Sequence, residues 1–438
     1  MRQILFRSAA RGGSLVSLLS VALLASAALP ASTASAATVR VLNCHDSGAG
    51  SLRGAVANAN SGDTIDLTRL SCRKIVLTSG EIHIAQQDLS LIGPGRSGLV
   101  LDGNNASRVL MHDSATPGTL VVKSMTIALG NGGCVVSLGN LDLISSDVHH
   151  CVGGGAFADM HLRLIDSRLY SNVAPDGIGG GASAQSLSAV HSRIWNNSAA
   201  EGGGLWGLDV SLSYSSVSQN RSIGAGGGIY AFGTLLVNKS TVSNNQASDV
   251  GTGQGGGAWG REVSVYDSTF SGNVATSASA LLAWNQVRIA NSTIVFNRET
   301  QTDPTIGGAV VVHRLEGLAT PAPAVGVPQA LYTIDSSIIA RNQTNGMAGN
   351  DLGPDYSVAG ANNLIERAII PLPADTLSAN PRLAPLLDNG GPTRTHALLS
   401  SSPVIDRGNN HRNRQYDQRG PGFLRVKGMA PDIGAVER

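Results

Sequence analysis

Three residue pairs in the first half of the chain carry chemistry: Asp147 with His149, Arg168 with Tyr170, and Arg193 with Trp195. The pairs follow one another at intervals of 21 and 25 residues. One carboxylate, one imidazole, two guanidinium groups and two aromatic rings in a single patch could hold an acidic sugar. Guanidinium forks grip carboxylates through two parallel hydrogen bonds, and aromatic rings pack against sugar faces. His149, Tyr170 or an arginine could also take a proton in a β-elimination. The alternative is an ordinary polar surface with weak cross-strand ion pairs. A second set comprises Phe157, Ser183, Trp206, Tyr230 and Trp259, the fifth residues of five Gly-Gly-Gly phrases. Facing solvent, these aromatics would form a stacking platform for a glycan. They could equally pack together as a ladder or lie under a loop.

The elements that must position these residues come from an eleven-residue phrase. It begins at Leu141 (LDLISSDVHHC) and again at Leu162, Leu187, Val210, Leu235, Val263 and Val287. The starts advance by 21, 25, 23, 25, 28 and 24 residues, a period that marks a solenoid. The first and third positions are mostly apolar, the sixth is Ser and the eighth is apolar. Period two on either side of a phase shift means two short strands joined by a bend. The seventh and ninth positions then face outward, and these are the positions of the three pairs. The sixth position stacks Ser146, Ser167, Ser192, Ser215, Ser240, Ser268 and Ser292. The eleventh stacks Asn172, Asn197, Asn220, Asn245, Asn273 and Asn297, with Cys151 in that place one coil earlier. Stacked buried amides satisfy backbone groups at a bend. The Gly-rich phrase adds a third strand, and parallel stacking of such coils gives an all-β helix.

Composition agrees. The chain has 438 residues with 54 Gly, 14% charged and 4% aromatic residues, which suits short strands and tight turns. A hydrophobic fraction of 42% argues against disorder. A net charge of +1 gives no electrostatic case for a nucleic-acid partner. Arg2, Arg7 and Arg11, the apolar run Leu15 to Leu29 and the small-x-small Ala34-Ser35-Ala36 predict a signal peptide over 1–36, and no other stretch could span a bilayer. Four cysteines in an exported chain favour disulfides. Cys44–Cys72 and Cys134–Cys151 close the shortest segments, although the other pairings stay open. A four-cysteine zinc site lacks any C-x-x-C spacing.

Ser51 to Asn60 reads as a short helix with Leu52, Ala55, Val56 and Ala59 on one face, plugging the N-terminal end. Strand-like runs follow at 64–67, 74–77, 81–84, 89–92 and 99–102. A strand is expected within 306–313, a Pro/Ala-rich insertion over 318–330, and a further coil from Leu331 to Asn342 with its Asn one residue late. The helix with its N-terminal cap therefore spans 37–348, and 349–438 forms a loop-rich C-terminal cap region. Asp166, His191, Tyr214 and Lys239 fall at a bend and are expected in solvent. No cofactor is implied, but Asp159, Asp209 and Glu262 could attract Ca²⁺. Asp388, Asp406, Asp417, Arg419 and Asp432 read as groups that stabilise the C-terminal region.

Two stretches carry a family resemblance. DSGAGSLRGAVANANSGDTIDL (46–67) resembles the opening segment of exported β-helix proteins with a GSLR start. NPRLAPLLDNGGPTRTHALLSSSPVIDRG (380–408), DQRG (417–420) and PDIGAVE (431–437) resemble the end of proteins with a choice-of-anchor Q domain. The repeats between them resemble any pectate-lyase-like helix. The resemblance implies a right-handed parallel β-helix and a bacterial protein that is secreted or surface-directed. It supplies no common catalytic residues. Because Arg438 follows the DIGAVE motif directly, release rather than anchoring is expected. The expected partner is an extracellular or cell-wall polysaccharide bound by a monomer, adhesin-like. A lyase or hydrolase acting on an acidic polysaccharide is the alternative.

Overall fold

The computed structural model describes residues 36–248, 253–301, 307–313, 331–354 and 356–438. The predicted leader lies outside these residues apart from Ala36, as does the insertion 318–330. Among the described residues, no helix is long and apolar enough to cross a membrane.

The coils stack as expected into a parallel β-solenoid. Its strands form three parallel sheets of seventeen, twelve and eight described strands; the first two are wholly parallel, and the third ends in one antiparallel pair. The second sheet holds the short strands Asp147–His149, Arg168–Tyr170, Arg193–Trp195 and Ser216–Ser218. The Gly-rich phrase does not make a separate strand. It runs into the next eleven-residue phrase as one long strand of the first sheet, such as Leu205–Ser213 or Ile229–Asn238. The third strand of each coil instead follows the Asn, as in Val173–Ile178 and Ser198–Glu201.

Inward aliphatic side chains fill the tube, with Leu164, Leu169, Ile194, Val217 and Ile229 almost wholly buried. At one corner the amide ladder closes the backbone accounts. Asn197 Oδ1 accepts from Asn172 N and Nδ2, both at 3.0 Å. Asn197 Nδ2 donates to Leu169 O and Asn220 Oδ1, also at 3.0 Å. The pattern repeats to Asn342, whose Nδ2 donates to Asp351 Oδ1 at 2.7 Å. Tyr332 pairs with Val287 and Ile339 with Ile294, so that coil starts at Tyr332. Asn342 is therefore in phase, and the expected one-residue lag came from counting from Leu331.

The third glycine of each Gly-rich phrase sits against this ladder. A Cβ on Gly204 would lie 2.7 Å from Gly228 O and 3.0 Å from the Asn220 amide. Where Cys151 replaces the Asn, Cys134 replaces the glycine. The Cys134–Cys151 disulfide spans 17 residues, the same separation as Gly155 and Asn172, so a cystine fills the space of the glycine–amide contact. Cys44–Cys72 is the other disulfide, at the N-terminal end.

That end is closed by the helix Leu52–Ala57, capped by Ser51, with Leu52, Ala55 and Val56 buried. Arg53 ties it down by donating to Gly80 O at 2.7 Å, Glu81 O at 2.6 Å and Asp46 Oδ1 at 2.9 Å. Burial works to lift the Asp46 carboxyl, but hydrogen bonds from Ser79, Arg53 and Thr78 hold it below the usual carboxylate range. At the far end, Leu364–Ile365 adds the last strand of the second sheet and bridges to Leu377. The chain then runs back along the outside of that sheet. Leu398, Val404 and Ile433 bury Val295 and Ile338. Thr241 Oγ1 donates to Arg394 O, and Thr269 Oγ1 to Gln418 Oε1, both at 2.6 Å.

Asn220→Ala should destabilise the chain by about 3 kcal/mol, because buried groups of Asn197 and Ile194 lose their partners. Ser218→Ala should change stability by no more than about 0.5 kcal/mol. Denaturant unfolding midpoints check this, and equal small shifts for the two would rule out the ladder as a main support. A pH effect sits at the ladder's end. Burial pushes Asp351 up to about 7, against donors on Asn342 and Arg367. A carboxyl that holds its proton more tightly folded than unfolded stabilises the fold at low pH. That contribution should drain away as pH climbs from the ordinary carboxylate range through about 7. Stability profiles of the native chain and Asp351→Asn should therefore differ in slope over that window.

Candidate functional site

The second sheet brings the three pairs together. Asp147, Arg168, Arg193, Ser216 and Thr241 form one outward column, and His149, Tyr170, Trp195, Ser218 and Ser243 the next. Two coil spacings make the patch about 10 Å tall. The rings are stacked along the solenoid axis. His149 and Tyr170 are 4.7 Å apart and inclined by 25°, and Tyr170 and Trp195 are 4.4 Å apart and inclined by 12°. Their faces cover one another, so the column presents edges to solvent. Only its ends can offer a face. The coil after Trp195 carries Ser218, which leaves that side of the indole without a ring partner.

Arg168 and Arg193 are exposed, whereas Asp147 is nearly buried. Burial pushes the Asp147 carboxyl up, opposed by Arg96 and Arg168. Arg96 lies 3.6 Å from Asp147 and also donates to the carbonyls of Ser145 and Asp166. Burial pulls the His149 imidazole down, His150 adds to the effect and Asp102 opposes it. The two Nδ1 atoms of His149 and His150 face each other at 2.8 Å. Arg96 and His150 had no sequence signal, since one belongs to an irregular turn and the other to the bend after the strand.

Above Ser216 and Ser218, which are half-buried, the surface closes. Thr241 and Ser243 face outward yet are only 2% and 6% exposed. The returning C-terminal segment covers them. Ser271 meets His396 Nε2 at 2.9 Å, and Gly420 packs against the Tyr214 ring. The coil of Ser216 and Ser218 is thus a notch, with the free side of Trp195 below and the edge of the cover above. The same cover corrects two expectations. Lys239 is buried, and its ammonium donates to Tyr416 O at 2.7 Å and to Asp417 O. Tyr214 is half-buried, stacked on His191 at 5.0 Å. Asp166 and His191 are exposed, as expected.

The aromatic row on the first sheet is a ladder. Trp206 and Tyr230 are parallel at 6.3 Å, and Tyr230 and Trp259 at 4.3 Å. Trp284, which the repeat pattern did not single out, joins at 6.1 Å. The expected solvent exposure fails at Ser183 and Trp259, which are 5% and 9% exposed. Around Trp259 the reason is packing by Ala278, Leu282, Val311 and Trp284. Burial, with Glu201 nearby, pushes the Tyr230 hydroxyl up to about 12. Phe157 alone in the row has no ring neighbour, since Val136 and Ser183 flank it.

The weaker candidates are dispersed. Asp209 accepts from Thr234 N at 2.9 Å, Glu262 accepts from the Asn285 and Gln286 side chains, and Asp159 is exposed. No group of three metal-ligating side chains occurs among the described residues. Asp417 is buried against Arg419, Asp432 accepts from Asp406 N at 2.7 Å, and Asp388 accepts from Gly390 N at 3.0 Å. All belong to the C-terminal segment's own scaffold, as does the buried pair Arg425–Glu437 at 3.0 Å.

Neither a protein-family model nor a curated relative matches the chain. Among solved structures it is similar to one described as the crystal structure of pectate lyase Pel9A, with 15% identity and a TM-score of 0.47, covering 92% of this chain and 97% of that one. The solenoid described above rests on its own strand register, and the residues of the patch on their own geometry.

The His149 ring gives a direct check. In a proton-NMR titration it should ionise below the ordinary histidine range of about 6.5. His150→Ala should move it upward, because a neighbouring positive charge is removed. A His149 that titrates at or above the ordinary value would contradict the close opposition of its half-buried ring to the exposed His150.

Proposed function

We propose that the chain is an exported glycan-binding protein that holds an acidic polysaccharide on its second sheet, at the notch beside Trp195. The observation that carries this reading is the unstacked side of the Trp195 indole next to the exposed guanidinium groups of Arg193 and Arg168. Neither arginine has an ion-pair partner among the described residues. A sugar ring laid on the indole would rest over the small side chains of Ser216 and Ser218. Its carboxylate would lie within reach of a planar fork. The two cystines suit an oxidising compartment, and the leader-like 1–36 suits export. The GSLR and DIGAVE segments suit a surface-directed protein of the choice-of-anchor Q type, with 37–348 as its helix and 349–438 as its C-terminal region.

A polysaccharide lyase is the second reading. It is favoured by one observation: the His149 ring, pulled below its ordinary range by burial and by His150, stacks on Tyr170, where it could serve as a base for β-elimination.

The test is retention of the purified chain on polyuronates and on neutral polymers, with and without Ca²⁺, while ultraviolet absorbance follows any unsaturated product. Trp195→Ala, and Arg168→Ala combined with Arg193→Ala, should each weaken polyuronate binding by about tenfold or more. Retention unchanged in both variants would end the binding proposal. Product released by the native chain and lost in His149→Ala would establish the lyase reading.

A further inference from the structure

A separate cleft of about 620 Å³ opens at the corner where the third sheet meets the first. That volume lies within the usual range for small-ligand pockets, about 300–1,000 Å³. Three local features create it. First, Gly132, Gly133 and Gly154 have φ of +85°, +98° and +99°, and a Cβ on any of them would meet nothing nearer than 3.4 Å. Side chains are missing there from a place with room for them. Second, Val173–Ile178 is longer than the strands that follow it in the third sheet, and its register shifts between Ala174 and Ile178. The extra residues lift Pro175 and Asp176 into an opposing wall. Third, Ser183 occupies the row between Phe157 and Trp206, so no ring stacks on Phe157.

We propose that this cleft binds a neutral sugar unit of a polysaccharide. Phe157 lines it with a ring that no other ring covers, and Val152 and Ile178 are 48% and 39% exposed beside it. These apolar walls match the C–H faces of a pyranose. The one charged residue of the lining is Asp176, exposed and without an ion-pair partner among the described residues. Its carboxylate accepts hydroxyl protons and repels anions. The nearby Arg108, whose stem lies 3.5 Å from a Cβ placed on Gly132, is committed to Glu81 at 2.6 Å. Uronates, phosphates and sulfates are therefore disfavoured. The cleft asks for a neutral rather than an acidic sugar, unlike the Trp195 notch, and does not depend on that reading.

The experiment uses the full chain and four probes: cellohexaose, xylohexaose, mannohexaose and the hexamer of glucosamine. Binding is followed calorimetrically and by the amide NMR signals of Gly132, Gly133 and Gly154. At least one neutral hexaose should bind and shift those glycine signals. Phe157→Ala and Asp176→Ala should each weaken it by about tenfold. Asp176 is exposed, so its variant keeps the fold and remains informative if Phe157→Ala does not fold. Arg168→Ala with Arg193→Ala, and Trp195→Ala, should leave this binding unchanged, which separates it from the notch. No neutral hexaose binding at millimolar concentration, binding of the glucosamine hexamer alone, or full affinity in Asp176→Ala would each overturn the proposal.

Discussion

A buried corner in a parallel solenoid leaves backbone donors and acceptors that no strand can pair. The asparagine ladder answers that constraint, and much else follows from it. Each amide accepts from the coil before and donates to the coil after, so one residue type at one position fixes the spacing and register of every neighbour. The glycine opposite must be glycine because the amide and a carbonyl already occupy the space. Where the amide is lost, a cystine takes over the same contact. With the corner fixed, the outward residues of successive strands fall into straight columns. The patch of arginines and rings exists because three coils are held in that register.

Column geometry also limits what the rings can do. Side chains 4.8 Å apart along a sheet are close enough for aromatic faces to meet. Rings in consecutive coils therefore cover one another, and recognition moves to the places where the series breaks. Trp195 next to Ser218 and Phe157 next to Ser183 are such breaks, on different sheets. The smallest residues of each column decide where a ligand's face can rest.

Much of this was legible in the sequence because it is periodic. The eleven-residue phrase fixed inward and outward positions and the serine and asparagine ladders. The spacing of Leu52, Ala55, Val56 and Ala59 marked the N-terminal helix, and the short segments closed by Cys44–Cys72 and Cys134–Cys151 favoured the two cystines without excluding other pairings. The cystine could have been derived more directly, since Cys134 and Cys151 stand where neighbouring coils carry a glycine and an asparagine. Contacts between distant parts of the chain were not legible. Arg96 reaches Asp147 from a turn that belongs to no repeat. The cover over Thr241, Thr269 and Thr293 is built from the last sixth of the chain, where periodicity has ended. Yet it left a trace: outward residues change from Arg, Tyr and Trp to Ser, Thr, Val and Ile where solvent is excluded. The exposed Lys239 expected from the bend failed for the same reason, because the bend lies under that segment.

The C-terminal segment is hydrogen-bonded to coils from Lys239 onward and reaches back one coil further, where Gly420 packs against Tyr214. Its anchor points are counted from the far end of the stack. A duplication or loss of a whole coil before the one that carries Tyr214 would lengthen or shorten the open face and leave every anchor in register. Gene rearrangement could thus vary the reach of this surface one turn at a time, while the terminal segment stays unchanged as a transferable fitting.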